Sequence, residues 1–242
     1  MKKVYLFLSL SLTLISILSC KKDEYQLRNT ASVMIVNAAI ANGNIKANVG
    51  ADNTFLFAKA IEIPYGSSGL YGTYMGVQNI NIMSSTDSTK SFYRKTMSLK
   101  PLSTIYICGQ NPIIDTIFTI EDNLPSIYSG SVTNPENALY LRFINLSPNS
   151  PPLNINIRTV TSNEITGLAY KATSTFKKYE ALTTTANYIF EIRDSQTNIV
   201  QTTFTLITNS NRFKTISLII RGTYGVTTGA NAFGISQINY TG

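Results

Sequence analysis

The chain has 242 residues, of which 20 are Lys or Arg and 13 are Asp or Glu, with 43% hydrophobic residues and neither His nor Trp. Its charged fraction of 14% falls well under the roughly 25% of ordinary soluble domains, and 29 Thr, 24 Ser and 23 Asn stand in its place. Without His there is no imidazole metal site and no His-based catalytic triad, while a composition rich in hydroxyls and amides favours strands and turns over helices.

The chain opens Met1-Lys2-Lys3 and continues with a mostly apolar run from Val4 to Leu18, a charged head followed by a hydrophobic stretch of secretory length. Those 15 residues fall short of the roughly 20 that a spanning helix needs. The run ends in Ile17-Leu18-Ser19-Cys20, which resembles a bacterial lipobox with its small residue before the lipid-accepting Cys. Residues 1–19 are therefore expected to be a signal peptide and Cys20 the lipidated residue. Lys21-Lys22-Asp23-Glu24 follows. It looks like the Lys-plus-two-acids signal of surface-exposed lipoproteins of Bacteroidota, with Lys22, Asp23 and Glu24 as the export signal, or else it is a solvated spacer. Residues 20–30 form the tether, and the expected address is the outer membrane, facing outward, with the lipid anchor holding the protein to the membrane.

The formal charge of +7 shrinks accordingly. Beyond the signal 18 basic residues face 13 acidic ones, and beyond Arg28 the balance is 15 to 11. The basic residues are scattered, with Arg94-Lys95 and Lys177-Lys178 the adjacent pairs past the tether, so no nucleic-acid partner is expected. With Cys20 lipidated, Cys108 stands alone in Ile105-Tyr106-Ile107-Cys108-Gly109 and reads as a small buried residue with no base to activate it.

From residue 30 onward, apolar runs bounded by Asn, Gly, Pro and Ser predict strands over Ser32–Ala38, Ile45–Val49, Thr54–Ile63, Tyr74–Met83, Ser91–Leu99, Thr104–Cys108 and Ile113–Ile120. A second series covers Ala138–Asn145, Leu153–Thr159, Ile165–Tyr170, Thr175–Glu180, Tyr188–Arg193, Ile199–Ile207, Lys214–Arg221 and Phe233–Tyr240. The halves repeat. Val33–Asn37 aligns with Tyr140–Asn145, Asn44–Val49 with Leu153–Ile157, Gly72-Thr73-Tyr74 with Ala186-Asn187-Tyr188, and Ile107-Cys108-Gly109 with Ile220-Arg221-Gly222. The expected fold is all-β: two tandem antiparallel β-sandwiches over 31–123 and 137–242, joined by a linker at 124–136 where Pro125, Gly130 and Pro135 interrupt pairing.

Leu141-Arg142-Phe143-Ile144-Asn145-Leu146-Ser147-Pro148-Asn149-Ser150-Pro151-Pro152-Leu153-Asn154-Ile155 resembles the opening of the domain of unknown function 4397, an Ig-like sandwich of secreted bacterial proteins and Bacteroidota lipoproteins. The resemblance covers two tandem copies over 31–242. The first departs by having Ala38-Ala39-Ile40-Ala41 at the Ser-Pro turn, and its Gly-Thr-Tyr is similar to the family's mid-domain hairpin. The resemblance implies architecture and address, and no catalytic residues.

The residues themselves point the same way. Ser174-Thr175-Phe176-Lys177 has Ser-x-x-Lys spacing, but on a strand those residues face opposite sides. Glu121-Asp122, the one close acid pair beyond the tether, reads as solvating the linker. No metal loop and no phosphate loop is present, so no catalytic residue, metal or cofactor is expected. Pro64–Tyr74 places Tyr65, Tyr71 and Tyr74 among glycines. It is either an aromatic loop that binds a sugar or a protein strand, or a hairpin whose tyrosines pack inward. Asp87-Ser88-Thr89 offers Ser88 as an O-glycosylation acceptor in a polar loop, whereas the similar Asp115-Thr116-Ile117 lies within a strand. The expected function is a surface binding module for a glycan or an envelope protein. The alternatives are a structural spacer and a hydrolase whose site is assembled from distant loops.

Overall fold

The structure, a computed structural model, describes residues 28–50, 55–125 and 136–240. The signal peptide, Cys20, the Lys22-Asp23-Glu24 segment and most of the expected linker lie outside the described residues.

Among the described residues, sixteen strands fall into two sets of eight. The first set is β1 (Thr30–Asn37), β2 (Ile45–Val49), β3 (Glu62–Ile63), β4 (Ser68–Tyr74), β5 (Gly76–Ser84), β6 (Ser91–Leu99), β7 (Leu102–Gln110) and β8 (Ile113–Ile120). The second is β9 (Ala138–Asn145), β10 (Leu153–Ile157), β11 (Asn163–Leu168), β12 (Lys177–Glu180), β13 (Tyr188–Asp194), β14 (Val200–Leu206), β15 (Thr215–Arg221) and β16 (Gly234–Asn239). Sheet A has the order β4-β1-β7-β8 and sheet B β3-β2-β5-β6; sheet C is β12-β9-β15-β16 and sheet D β11-β10-β13-β14. Adding eight to each strand of A and B gives C and D, so the two sandwiches share one topology.

The pairing is antiparallel except that β1 runs parallel to β7 and β9 parallel to β15. Asn37 sits opposite Ile107 and Asn145 opposite Ile220, which places the repeat in register. Both asparagines are fully buried and close the same turn. Asn37 donates to the Gly43 and Ile63 carbonyls, and its own side-chain oxygen accepts from the Ala39 amide. Asn145 donates to the Leu168 carbonyl and Ser150 hydroxyl and accepts from the Ser147 amide. Ala38-Ala39-Ile40 thus makes the turn that Leu146-Ser147-Pro148 makes in the second half. At the far end Gly109 and Gly222 share φ values of +90° and +91°, where a side chain would strike backbone, that of β8 at Gly109 and that of Asn231-Ala232, just before β16, at Gly222.

Each sandwich has its own core. Val33, Ile35, Ile105 and Ile107 of sheet A meet Ile45, Ile80, Ile82 and Met97 of sheet B, and Leu141, Phe143, Leu218 and Ile220 of sheet C meet Leu153, Ile155, Phe190 and Ile192 of sheet D. A third core joins the sandwiches, because the outer faces of sheets A and C pack together through Met34, Val36, Tyr106 and Cys108 against Ile144, Ile219 and Ile238. Strands β1, β7, β9 and β15 are buried on both faces, which explains their unbroken apolar runs.

Three readings need correction. Of the predicted strand Thr54–Ile63, described from residue 55 onward, only Glu62–Ile63 is strand (β3), preceded by a 3-10 turn over Phe57–Lys59, since its apolar residues do not alternate. Ser68–Tyr74, outside the predicted strands and read as either an aromatic loop or a hairpin, is an edge strand on β1. Tyr74 therefore ends β4 whereas Tyr188 begins β13 opposite Leu206, so those two tyrosines are not equivalent positions.

Candidate functional site

The structure does not gather Tyr65, Tyr71 and Tyr74 into one surface. Alternation along β4 turns Tyr71 toward the first core and Tyr74 outward, where the Arg28 guanidinium lies 5.5 Å from its ring centre. Tyr65 precedes the strand and lies against the second sandwich, its ring 4.7 Å from the Arg221 guanidinium. Burial raises the pKa of both Tyr65 and Tyr71. Ser88 is exposed in a turn whose Asp87 carboxylate accepts from the Thr89 amide at 2.9 Å and the Thr89 hydroxyl at 2.6 Å.

Tyr65 has a counterpart. The amides of Gly66 and Lys171 donate to the carbonyls of Asn37 and Asn145, so Tyr65 and Tyr170 occupy equivalent places. Tyr65 covers Arg221 of the other sandwich, and Tyr170 reaches Cys108, which occupies the same place as Arg221 in the repeat, at 3.5 Å. The junction is thus roughly two-fold, each half lending one tyrosine to the other. Tyr170 also donates to Asp115 at 3.0 Å, and Lys171 pairs with that carboxylate at 3.1 Å. Burial pushes the Cys108 thiol up to about 11, leaving it protonated and inert.

A buried ion pair closes one end of this junction. Arg142 donates to Glu121 at 2.6 Å, to the hydroxyls of Tyr240 and Tyr106 at 2.7 and 3.0 Å, and through Nε to Ser217 at 2.8 Å. The Phe176 ring lies 4.5 Å from its guanidinium carbon. Burial opposes the Arg142 charge, yet Tyr106, Tyr240 and Glu121 outweigh it and hold the pKa above its ordinary value. Glu121 therefore does not solvate the linker, as the sequence suggests; it is the buried partner of a residue in the other sandwich. Ser174 and Lys177 are likewise apart in function: the Ser174 hydroxyl accepts from the Phe143 amide, and Lys177 pairs with Glu164.

The surface best suited to a ligand is the outer face of sheet B, which sequence reasoning did not single out. A cavity of about 450 Å³ opens there over β2, β5 and β6, lined by Asn48, Asn79, Asn81, Arg94, Lys95 and Thr96. Register builds it: Asn48 lies opposite Asn81, Asn81 opposite Arg94, and Asn79 opposite Thr96. The signal in the sequence is the Asn79-Ile80-Asn81-Ile82 alternation in β5, which puts apolar Ile80 and Ile82 inward and the two amides outward. Thr96 donates to the Asn79 side-chain oxygen at 2.8 Å and Ser91 to that of Asn81 at 2.6 Å, so the amides are fixed before any ligand arrives. Among the described residues, no three His, Cys, Asp or Glu side chains lie close enough together to hold a metal ion, and no helix is long and apolar enough to cross a membrane.

No family model matches the chain, and no curated protein matches it. Among solved structures, the chain is similar to the TIE protein of Bacillus anthracis at 8% identity and a TM-score of 0.24, over 88% of this chain and 44% of that one. It therefore spans less than half the length of that protein. It is also similar to a protein of Bacteroides ovatus described as a candidate adhesin, at 10% identity and a TM-score of 0.24, over 88% of this chain and 94% of the other. At that similarity neither speaks to function.

Proposed function

We propose that the protein is a non-catalytic, lipid-anchored module of the outer membrane, displayed at the cell surface, that binds a glycan or an envelope protein, and that it is a diverged tandem of the 4397-type domain. The observation that carries the binding role is the sheet B groove. Its polar groups stand on rigid strands, pre-set by hydrogen bonds within the sheet, so little ordering cost remains for a ligand to overcome. This moves the site away from the Tyr65–Tyr74 segment. Support for the anchor is the Lys2-Lys3 head, the apolar run and Ser19-Cys20; support for display is Lys22-Asp23-Glu24. The non-catalytic reading is supported by the engagement of Cys108, Ser174 and Lys177 in structural contacts. A spacer role is the second reading, favoured by the sealed junction, which makes one stiff body of two sandwiches.

The test compares wild type with Cys20→Ser in cells. Wild type is expected to take up acyl label, fractionate with the outer membrane and be shaved by external protease, whereas Cys20→Ser loses the label and the membrane. An unlabelled wild type rejects the anchor, and a labelled but protected one rejects surface display. On a glycan array and against defined envelope proteins, a wild type that retains nothing rejects the binding module and leaves the spacer.

A further inference from the structure

We propose that the sheet B groove takes an acidic saccharide, a chain whose sugars carry carboxylates; this rests on the binding-module reading and names its ligand class. The side-chain oxygens of Asn79 and Asn81 already accept from Thr96 and Ser91. Their amide nitrogens have no partner among the described residues, and each carries two donors. Arg94, directly across from Asn81, is exposed and unpaired among the described residues. The groove therefore offers amide donors and the Arg94 cation, and its described lining holds no carboxylate; Lys95 stands opposite the inward-facing Ile80, so alternation turns its side chain away from this face. Glu62, on β3, stands opposite Lys46 and outside that lining.

A surface of this kind asks for a ligand rich in acceptors and negative in charge. A protein partner would need an apolar anchor, and the one apolar lining residue, Ile80, is fully buried. A single-stranded nucleic acid would need a ring to stack on, and the lining has none. A saccharide needs neither. Strands about 4.8 Å apart set amide donors at a spacing of the order of one sugar ring, and the volume of about 450 Å³ lies within the roughly 300–1,000 Å³ of small-ligand sites. A carboxylate on the chain would meet Arg94.

The repeat supplies an internal control. In sheet D the place of Asn81 is taken by Glu191, opposite Asn156 as Asn81 is opposite Asn48. Glu191 is neutralised by Arg158 at 3.0 Å and Arg193 at 2.6 Å. The same face of the second sandwich is thus satisfied by its own ion pairs, and the donor-rich groove belongs to the first alone.

The experiment titrates the full-length protein in detergent with oligogalacturonate, oligoguluronate and hyaluronan fragments, and with the methyl ester of each, by calorimetry. At least one acid is expected to bind, to weaken in high salt, and to bind better than its ester. Arg94→Ala is expected to lower affinity about tenfold or more and Asn81→Ala severalfold, with melting unchanged, while Arg158→Ala leaves binding as it was. If an ester binds as well as its acid, the acidic class is wrong and the binding module stands. If Arg94→Ala and Asn81→Ala both bind like wild type, the groove is wrong. If no acid binds while the protein retains a neutral glycan or an envelope protein, this inference falls alone; if it retains nothing at all, both fall.

Discussion

Arg142 shows how far a single residue's role can lie from its sequence neighbourhood. It sits between Leu141 and Phe143, which face the second core, and alternation sends it the opposite way into the junction, where its side chain and that of Glu121 are 7% and 3% exposed. Two charges removed from water gain stability only through their mutual attraction and added hydrogen bonds, so losing one partner is worse than losing both. Arg142→Met is expected to cost about 3–5 kcal/mol, because it leaves the Glu121 carboxylate buried and uncompensated. The double variant Arg142→Met with Glu121→Leu is expected to recover most of that loss. Urea unfolding of the single and double variants measures this, and a double variant no more stable than Arg142→Met would show that the hydrogen bonds to Tyr106, Tyr240 and Ser217 dominate instead. The sequence offers no pattern for such a pair: Glu121 follows an apolar strand just where an exposed linker would begin, and the strand fixes its direction but not what stands opposite.

At the scale of elements, the legible features were those with a local cause. Strands β2, β6, β8 and β9 fall where apolar alternation or β-branched runs place them, and Asn37 and Asn145 mark the repeat because each must satisfy the same buried turn. β4 was hidden, since Ser68-Gly69-Leu70-Tyr71-Gly72 carries turn residues and owes its pairing to β1 rather than to its own propensity. The sheet B groove was hidden because it depends on register between three strands. The turn after β13 shows a local cause with a pH consequence. Asp194 accepts from the Gln196 and Thr197 amides at 2.8 and 2.9 Å and from the Tyr224 hydroxyl at 2.7 Å, tying the β13–β14 hairpin to the loop after β15. The Tyr224 hydroxyl, and then the two amides, hold its carboxyl below the ordinary value. A carboxyl depressed on folding contributes stability that is present above its unfolded value of about 3.9 and is lost as pH falls toward the folded one. Unfolding of wild type is therefore expected to become easier below about pH 4, and Asp194→Asn to be less stable at neutral pH with a flatter acid dependence. Equal acid slopes for the two proteins would assign the acid loss to other carboxyls, Glu191 among them, whose pKa is lowered by Arg193 and Arg158.

At the scale of the whole molecule, the buried junction between the two sandwiches implies one folding unit. Tandem domains joined by a linker ordinarily move independently, because their interfaces are small and polar. Here Met34, Val36, Tyr106, Ile144, Ile219 and Ile238 are buried between sheets A and C as fully as residues inside either core, and each such side chain is worth about 1.5–3 kcal/mol. Separating the sandwiches would expose all of them together with the Arg142 pair, so opening the junction and unfolding are expected to share one transition. Cys108 lies in that junction with its thiol protonated, and so reports its opening. In rising urea, labelling of Cys108, read by mass spectrometry of its peptide, should begin at the concentration where circular dichroism shows the sheets melting. Ile219→Asp places a charge on the outer face of β15 and leaves both sandwich cores untouched, so in that variant Cys108 should label first and the sheets melt later. If wild-type Cys108 labels in native buffer as fast as a free thiol, or the wild type melts in two steps, the sandwiches are hinged rather than fused, and the sheet B groove is then carried on a mobile first domain instead of on a rigid body.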